Sequence, residues 1–276
     1  MKVFDLHNDL PTRGFSEEEV AAAYAAQTPH RIVSAFYTTQ MRAPLAFING
    51  YIKKYPVSQS RLYAVEDMGF VKGVSCIDAV CALPVLYAGI CWNGENALGG
   101  GAGSSAGLSP LGEIALQKLT SAGITADTAH LNEKTFYQVC DRVAVPINSH
   151  TCLHSVCAHP RNLTNAQIRL ILSRGGIIGL TLVAQFMGKP EAAATRADYV
   201  RQIDTFIQAF GINGLCIGTD FNGTDPVKGL STYTEFALLA DDLQGLGYTQ
   251  QDINKIFFVH ADNFFSKIGR GENKSA

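Results

Sequence analysis

The feature that most constrains the fold of this chain is a series of eight short apolar segments that alternate with helix-like ones. Each segment is the length of a strand, and most are rich in β-branched residues, as strands buried on both faces of a parallel sheet are. The predicted strands are residues 3–7, 32–37, 62–66, 86–92, 124–128, 145–149, 177–182 and 215–219. Strands that alternate with helices predict the α/β class with a parallel sheet.

Eight such alternations within 276 residues favour a closed barrel over an open sheet, because a (β/α)8 barrel takes about 250 residues. No Gly-x-Gly-x-x-Gly turn follows the first strand, which argues against a nucleotide-binding sheet. We therefore predict a single (β/α)8, TIM-type barrel over residues 1–268 and a polar C-terminal tail over residues 269–276.

Three helix starts are clear from the sequence. Ser109 is followed by Pro110, and a serine N-cap with proline at the first helical position is a favourable start for a helix. Asn132 and Thr164 are predicted to cap two further helices. The helix after Ser109 is expected to bury four apolar residues, Leu111, Ile114, Ala115 and Leu119.

The composition is that of a globular protein and excludes several classes of partner. With 47% hydrophobic residues, 17% charged residues and a net charge of −2, nothing indicates binding to nucleic acid or to an anionic membrane. No apolar run approaches the roughly 18 residues of a membrane helix, and no signal-peptide core is visible, so we expect a cytoplasmic protein. The seven cysteines include no Cys-x-x-Cys pair, which favours buried free thiols over metal ligands.

Polar side chains that can bind metals recur at the carboxyl ends of the predicted strands, where (β/α)8 barrels carry their active sites. His7 and Asp9 end the first strand, and their period-two spacing directs both side chains to the same side. Imidazole nitrogen and carboxylate oxygen suit zinc or a similar divalent ion, although an isolated pair also fits a hydrogen-bonded surface role. Glu66 ends the third strand, where it either pairs with a neighbouring helix or bridges two metals.

Three further residues extend this pattern. His130 follows the fifth strand and His150 the sixth, and either one alone also fits a structural histidine. Asp220 ends the eighth strand, where it fits a turn or helix cap as well as a general base over a metal-bound water. Because all six positions lie at the same end of the predicted barrel, one shared metal site explains them better than six separate structural roles.

The motifs around these residues resemble those of the membrane (renal) dipeptidase family of zinc peptidases, within the amidohydrolase superfamily. The resemblance runs from Val3 to about Phe265 and is strongest over residues 107–182. Five motifs carry it in this order: Gly-Leu-Ser-Pro-Leu-Gly-Glu, Ala-Asp-Thr-Ala-His-Leu, Pro-Ile-Asn-Ser-His-Thr, His-Pro-Arg-Asn-Leu-Thr and Arg-Gly-Gly-Ile-Ile-Gly-Leu. The resemblance implies a barrel of the metal-dependent hydrolase type.

Two divalent metal ions are implied by this resemblance. His7 and Asp9 would hold one ion, His130 and His150 would hold the other, and Glu66 would bridge both. Zinc is the default for such ligands in a hydrolase, and manganese or cobalt suits the same donors.

The implied reaction is hydrolysis of dipeptides, including those with a C-terminal D-residue, by a hydroxide shared between the two ions. Arg161 would bind the C-terminal carboxylate of the substrate, since a guanidinium can bind a carboxylate through two hydrogen bonds. Asp220 would take up the proton and return it to the leaving amine. A homodimer is also expected from the resemblance.

The chain departs from the animal enzymes of this family at three places. Trp92 stands where they have a histidine that helps to polarise the scissile carbonyl, and an indole carries no charge. Trp92 would line the substrate pocket while Asn93 or Asn96 supplies polarity, or it would mark a changed substrate or a weakened enzyme. Asn222 replaces a second aspartate, and residues 11–27 replace a longer segment, so substrate preference is left open.

Two other functions remain compatible with the sequence. One is an amidohydrolase for another small amide, such as an N-acyl amino acid or a cyclic amide, and the other is a metal-binding or ligand-binding barrel without catalysis. Arg161 discriminates against a substrate that lacks a carboxylate. Trp92 is the only support for an inactive barrel, and the retention of Asp220 argues against it.

Overall fold

The computed structural model describes residues 1–27, 29–39, 41–190, 193–225 and 227–268. The predicted tail at residues 269–276 lies outside the described residues.

All eight predicted strands form, and every pair of neighbours is parallel. They are β1 (Phe4–Asn8), β2 (Arg31–Phe36), β3 (Arg61–Val65), β4 (Tyr87–Gly89), β5 (Thr125–Asp127), β6 (Asn148–Thr151), β7 (Ile178–Leu180) and β8 (Leu215–Ile217). Hydrogen-bonded neighbours follow the order β5-β4-β3-β2-β1-β8-β7-β6.

The first and last strands of this order, β5 and β6, meet and close the sheet. Asp127 forms a parallel bridge with Ile147, just before β6. The N–H of Thr128 donates to the Ile147 carbonyl at 2.9 Å, and the N–H of Ile147 donates to the Ala126 carbonyl at 3.1 Å. These contacts complete the ring, so the predicted (β/α)8, TIM-type barrel is confirmed.

Helices connect the strands and cover the barrel. They are α1 (Glu17–Gln27), α2 (Pro44–Lys54), α3 (Val74–Cys81), α4 (Pro110–Ser121), α5 (Glu133–Arg142), α6 (Asn165–Ser173), α7 (Arg196–Phe210), α8 (Phe236–Gly245), α9 (Gln250–Asn254) and α10 (His260–Ile268). Short 3₁₀ turns lie at Leu10–Thr12, Ala184–Met187 and Tyr233–Glu235, and a π-helical turn lies at Lys255–Val259. Ser109, Asn132 and Thr164 each accept a hydrogen bond from the backbone N–H three residues later, so the three predicted N-caps are confirmed.

The main apolar core lies between the strands and the surrounding helices. Val65 of β3, Ile77 of α3 and Leu119 of α4 belong to this cluster and are completely buried. A second cluster joins strand residues such as Phe4 to Phe265 of α10, so the C-terminal helix packs against the barrel. Burial of these side chains from several strands and helices holds the barrel together.

The predicted start of the sixth strand is wrong. β6 begins at Asn148, and Val145 is 38% exposed. Pro146 has no N–H to donate to a neighbouring strand, so the regular ladder starts only after it. As a result, His150 lies within β6 rather than after it.

The predicted apolar face of α4 is also partly wrong, because Ile114 is 38% exposed. The helix buries Gly112, Ala115, Leu116 and Leu119, so Ala115 and Leu119 are shared with the predicted face and the spacing is equally helical. Both faces satisfy the periodicity of a helix, and only packing against the barrel selects one of them.

Two glycines allow β6, β7 and β8 to approach one another closely beside His150. A Cβ atom at Gly179 of β7 would lie 2.1 Å from the Ser149 carbonyl oxygen, and a Cβ atom at Gly218 would lie 1.9 Å from it. Any side chain at either position would push Ser149 and His150 outwards, so glycine fixes the backbone from which His150 projects.

Two expectations about the chain as a whole can be compared with the structure. Among the described residues, no helix combines the length and the apolar character that crossing a lipid bilayer requires. The seven cysteines all lie in the described part of the chain and form no disulfide there. Four of them are buried, Cys91, Cys140, Cys152 and Cys216.

Candidate metal centre and active site

The six residues predicted to form the metal and acid–base site meet at the carboxyl end of the barrel. Two lie within strands, His7 in β1 and His150 in β6. The other four follow their strands within three residues: Asp9, Glu66, His130 and Asp220. All six are largely buried, and even the two most accessible, Asp9 and Asp220, have side chains only 12% and 15% exposed.

His7 lies at the centre of one group of ligand atoms. Its Nε2 is 3.6 Å from Asp9 Oδ1, 3.9 Å from Asp220 Oδ1 and 4.0 Å from Glu66 Oε1. Ligand atoms of His7, Asp9 and Asp220 all lie within 4.8 Å of one another. Because metal–ligand bonds are about 2.0–2.2 Å long, one ion fits among them. The structure thus places Asp220 close enough to coordinate the same ion as His7 and Asp9. The sequence did not indicate that Asp220 could be a metal ligand.

The second group contains two histidines. His130 Nε2 is 3.0 Å from Glu66 Oε1 and 2.9 Å from His150 Nε2. Ligand atoms of His7, Glu66 and His150 also lie within 4.8 Å of one another. Glu66 therefore contacts both groups, which is the position a bridging carboxylate must have.

Hydrogen bonds to Nδ1 turn the Nε2 atoms of the histidines towards the centre. The Tyr87 hydroxyl donates to the Leu6 carbonyl at 2.7 Å, so it accepts from His7 Nδ1 at 3.1 Å. The Asn93 side-chain oxygen accepts from His130 Nδ1 at 2.9 Å. With the proton on Nδ1, each Nε2 keeps the lone pair that binds a metal.

His150 is oriented in the same way by a serine and an aspartate. The Ser149 hydroxyl donates to Asp127 Oδ2 at 2.5 Å and accepts from His150 Nδ1 at 2.8 Å. Asp127 also accepts from the backbone N–H groups of Ser149 and Ala129. This buried carboxylate fixes the ring through Ser149, as partners of metal-binding histidines commonly do.

Sequence reasoning missed the supporting residues Asp5, Tyr87, Asp127 and Ser149. Asp5 is completely buried and accepts from the Thr219 hydroxyl at 2.5 Å. The available signal was an acidic residue within a predicted buried strand, since a buried carboxylate requires several hydrogen-bond donors. Nothing in the sequence distinguishes Tyr87 or Ser149 from ordinary strand residues.

The carboxylates of the cluster have strongly perturbed pKa values. Burial, followed by the charge of Asp9, raises the pKa of both Glu66 and Asp220 well above the usual range. Burial by itself would lower the pKa of His7, but Asp9, Glu66 and Asp220 together raise it to about 10. Negative charge is therefore concentrated around His7, and a cation lowers the free energy of this arrangement.

The donor atoms fit a divalent metal centre. Within the described part of the chain, His7 Nε2 and Asp9 Oδ1 are buried without a hydrogen-bond partner, which is rare in native proteins. Burial lowers the pKa of His130 and His150 well below the usual range, so both rings stay neutral and able to coordinate. Imidazole nitrogens with carboxylate oxygens are typical ligands of zinc and related ions.

A cleft of about 430 Å³ opens onto the ligand cluster. All three predicted substrate-binding residues line it, Arg161, Trp92 and Asn93. The centre of the Trp92 ring lies 5.1 Å from that of Tyr37 and 5.6 Å from that of His130. Trp92 and Tyr37 therefore form one aromatic wall of the cleft. The Asn93 side chain also accepts from His130 Nδ1 and so orients that ring.

Arg161 is buried at the edge of the cleft, beside the ligand cluster. Its Nη2 lies 2.8 Å from His150 Nε2, and its guanidinium lies 5.4 Å from the centre of the Phe186 ring. Burial lowers the pKa of Arg161 to about 10, so the side chain remains charged at neutral pH. His159 accepts from the Arg161 N–H at 3.2 Å and lies outside the ligand cluster.

Backbone strain is concentrated around the site. Within the described residues, three non-glycine positions have positive φ: His130 at 66°, Asp220 at 62° and Asn222 at 70°. Such conformations cost on the order of 1–3 kcal/mol each and persist where the surroundings enforce them. Here the Asp220 N–H donates to the His7 carbonyl at 3.0 Å, which ties the end of β8 to β1.

Comparison with known proteins gives the family. The profile of the membrane dipeptidase family (Peptidase family M19) matches residues 66–270. An uncharacterized protein from the pqqA 5′ region of Klebsiella pneumoniae is 27% identical over 194 residues, which cover 66% of this chain and 72% of that protein. A dipeptidase of Aspergillus oryzae is 25% identical over 150 residues, which cover 53% of this chain and only 36% of the fungal protein.

Two crystal structures share the whole fold. A metallo peptidase from Rhodobacter sphaeroides, bound to a phosphinate mimic of L-Ala-D-Ala, superimposes with a TM-score of 0.86 at 18% identity, over 98% of this chain and 99% of that one. An amidohydrolase from Pseudomonas aeruginosa gives a TM-score of 0.82 at 20% identity, over 96% of both chains. Because the family profile covers most of the sequence, this chain belongs to the membrane dipeptidase family (Peptidase family M19), a family of metal-dependent hydrolases.

Proposed function

We propose that the protein is a dipeptidase that hydrolyses dipeptides with a free C-terminal carboxylate at a two-metal centre. The position of Arg161 supports this most strongly, because its Nη2 is 2.8 Å from His150 Nε2 at the edge of the ligand cluster. A carboxylate held by this guanidinium brings the adjacent peptide bond over the metal ligands. The Rhodobacter metallo peptidase holds a mimic of L-Ala-D-Ala, which extends the proposal to C-terminal D-residues.

The two groups of ligand atoms support a binuclear centre, with zinc as the default metal. His7 and Asp9 would hold one ion, His130 and His150 the other, and Glu66 would bridge them. Bound divalent ions lower the pKa of coordinated water to about 7 and polarise the carbonyl of the substrate.

Other side chains of the cleft would transfer the proton and exclude water. Asp220 would accept the proton that water releases during attack and donate it to the leaving amine. Its carboxylate lines the cleft, and its Oδ1 lies 3.9 Å from His7 Nε2, close to where the attacking water would be held. Trp92 and Tyr37 would cover the cleft and limit the entry of bulk water.

The central test is the hydrolysis of a panel of L-L and L-D dipeptides, together with metal analysis, before and after chelation. We expect about two divalent ions per chain and cleavage that chelation abolishes and metal restores. Two ions without cleavage of any dipeptide would redirect the assignment to an N-acyl amino acid or a cyclic amide. Absence of bound metal would refute the assignment of the ligand residues.

Tyr87→Phe should weaken metal binding about 10- to 100-fold, because His7 Nδ1 loses the partner that fixes its orientation. Tyr199→Phe is the matched control, since both hydroxyls donate to a strand carbonyl at 2.7 Å and only Tyr87 contacts a histidine. Competition with a metal-binding dye measures the affinity. Equal losses of metal affinity in the two variants would show that the hydroxyl of Tyr87 only stabilises the fold.

Replacing Arg161 by alanine should lower kcat/KM for a dipeptide by about 10- to 100-fold, the contribution of a charged hydrogen bond. For the same dipeptide with a C-terminal amide, which lacks the carboxylate, kcat/KM should fall much less. A thermal melt confirms that the variant is folded. If both substrates lose activity equally, Arg161 does not bind the carboxylate.

Asp220→Asn should retain both metal ions but lose about 10²- to 10⁴-fold in kcat, because the amide cannot accept the proton. Metal content is measured on the same sample, since Asp220 Oδ1 lies 3.9 Å from His7 Nε2 and within ligand distance. Parallel loss of metal and activity would make Asp220 a ligand, and retained turnover would remove it from proton transfer.

A further inference from the structure

A second arginine lines the substrate cleft. Arg13 follows the 3₁₀ turn Leu10–Thr12 and lines the same cleft as Arg161. Its side chain is exposed, and within the described part of the chain it makes no hydrogen bond, ion pair or ring contact. A guanidinium without a protein partner at the wall of a cleft is available to an anionic group of the substrate.

The backbone that carries Arg13 is anchored next to a metal ligand. The N–H of Thr12 donates to the Asp9 carbonyl at 3.0 Å. Leu10 is buried in a small apolar cluster with Val20 of α1, which holds the turn against the protein. These contacts fix the turn that precedes Arg13, so Arg13 is held at the wall of the cleft.

The two arginines enter the cleft from different sides of the barrel. Arg13 follows β1 and Arg161 follows β6, and in the closed ring β8 and β7 separate those strands. A dipeptide that binds Arg161 through its C-terminal carboxylate, with its peptide bond over the ligand cluster, extends its N-terminal residue away from Arg161. In this binding mode, the side chain of that residue would lie on the side of the cleft that carries Arg13.

The charges of the cleft favour an anion at this position. Acidic side chains among the described lining residues are confined to the ligand cluster, namely Asp9, Glu66 and Asp220. None of them forms an ion pair with Arg13, so its charge is left for the substrate. We propose that Arg13 binds a carboxylate on the N-terminal side chain, which makes dipeptides beginning with glutamate or aspartate the preferred substrates. This specificity rests on the proposed dipeptidase function.

Arg42 offers a matched control. It is also exposed and, among the described residues, its side chain also has no partner. It lines a separate groove with Thr38 and Lys72, outside the catalytic cleft. Arg42→Gln therefore removes the same charge from the protein without changing the wall of the cleft.

The experiment measures kcat/KM of the metal-loaded enzyme for Glu-Ala against Gln-Ala, and for Ala-Glu against Ala-Gln. We expect wild type and Arg42→Gln to prefer Glu-Ala by about fivefold, the upper range for an exposed ion pair. Arg13→Gln should lose this preference through KM while retaining its activity on Gln-Ala. Equal rates for Glu-Ala and Gln-Ala in the wild type, or a preference that Arg13→Gln retains, would overturn the proposal. A preference confined to Ala-Glu would overturn it as well.

Calorimetry with phosphinate mimics of Glu-Ala and Gln-Ala separates this specificity from the reaction itself. Tighter binding of the Glu-Ala mimic that depends on Arg13 supports the carboxylate site even if no dipeptide is cleaved, and in that case only the proposed function fails. Equal binding of the two mimics by wild type and Arg13→Gln overturns the carboxylate site, whatever the enzyme hydrolyses.

Discussion

Three carboxylates and three imidazoles share one buried space at the carboxyl end of the barrel, and the surrounding structure is arranged to hold them there. They belong to Asp9, Glu66, Asp220, His7, His130 and His150. Concentrating like charges away from water is unfavourable, and it is sustained only when hydrogen bonds or cations compensate. The shifted pKa values of Glu66 and Asp220 express this cost. Divalent ions at the centre would convert the repulsion into coordination.

Closure of the barrel and orientation of the ligands depend on the same buried acids. Asp127 forms the bridge to Ile147 that joins β5 to the chain before β6, and its carboxylate holds Ser149 against His150. Asp5 in β1 accepts from the backbone N–H and the hydroxyl of Thr219 beyond β8, which ties those strands together next to His7. Loss of either carboxylate would therefore affect both the strand contacts and the candidate metal ligands.

Much of the fold could be predicted because its signals are local. Apolar β-branched runs mark the strands, and the caps Ser109, Asn132 and Thr164 mark helix starts through contacts only three residues away. The errors arose where local rules allow two answers. Helical spacing alone cannot decide whether Ile114 faces the barrel, and the start of β6 depends on which N–H groups find partners in a neighbouring strand.

The sequence by itself determined the chemical types and their order: imidazoles and carboxylates at the ends of strands, Arg161 in a specific motif, and a chain of the right length for one barrel. Only the tertiary structure decided which nitrogen of His7 faces the cluster, that Asp220 lies at ligand distance, and that Arg13 and Arg161 share a cleft. The reason is that donor type is a property of a single residue. Distances between residues many positions apart are fixed only when the barrel closes and its core packs.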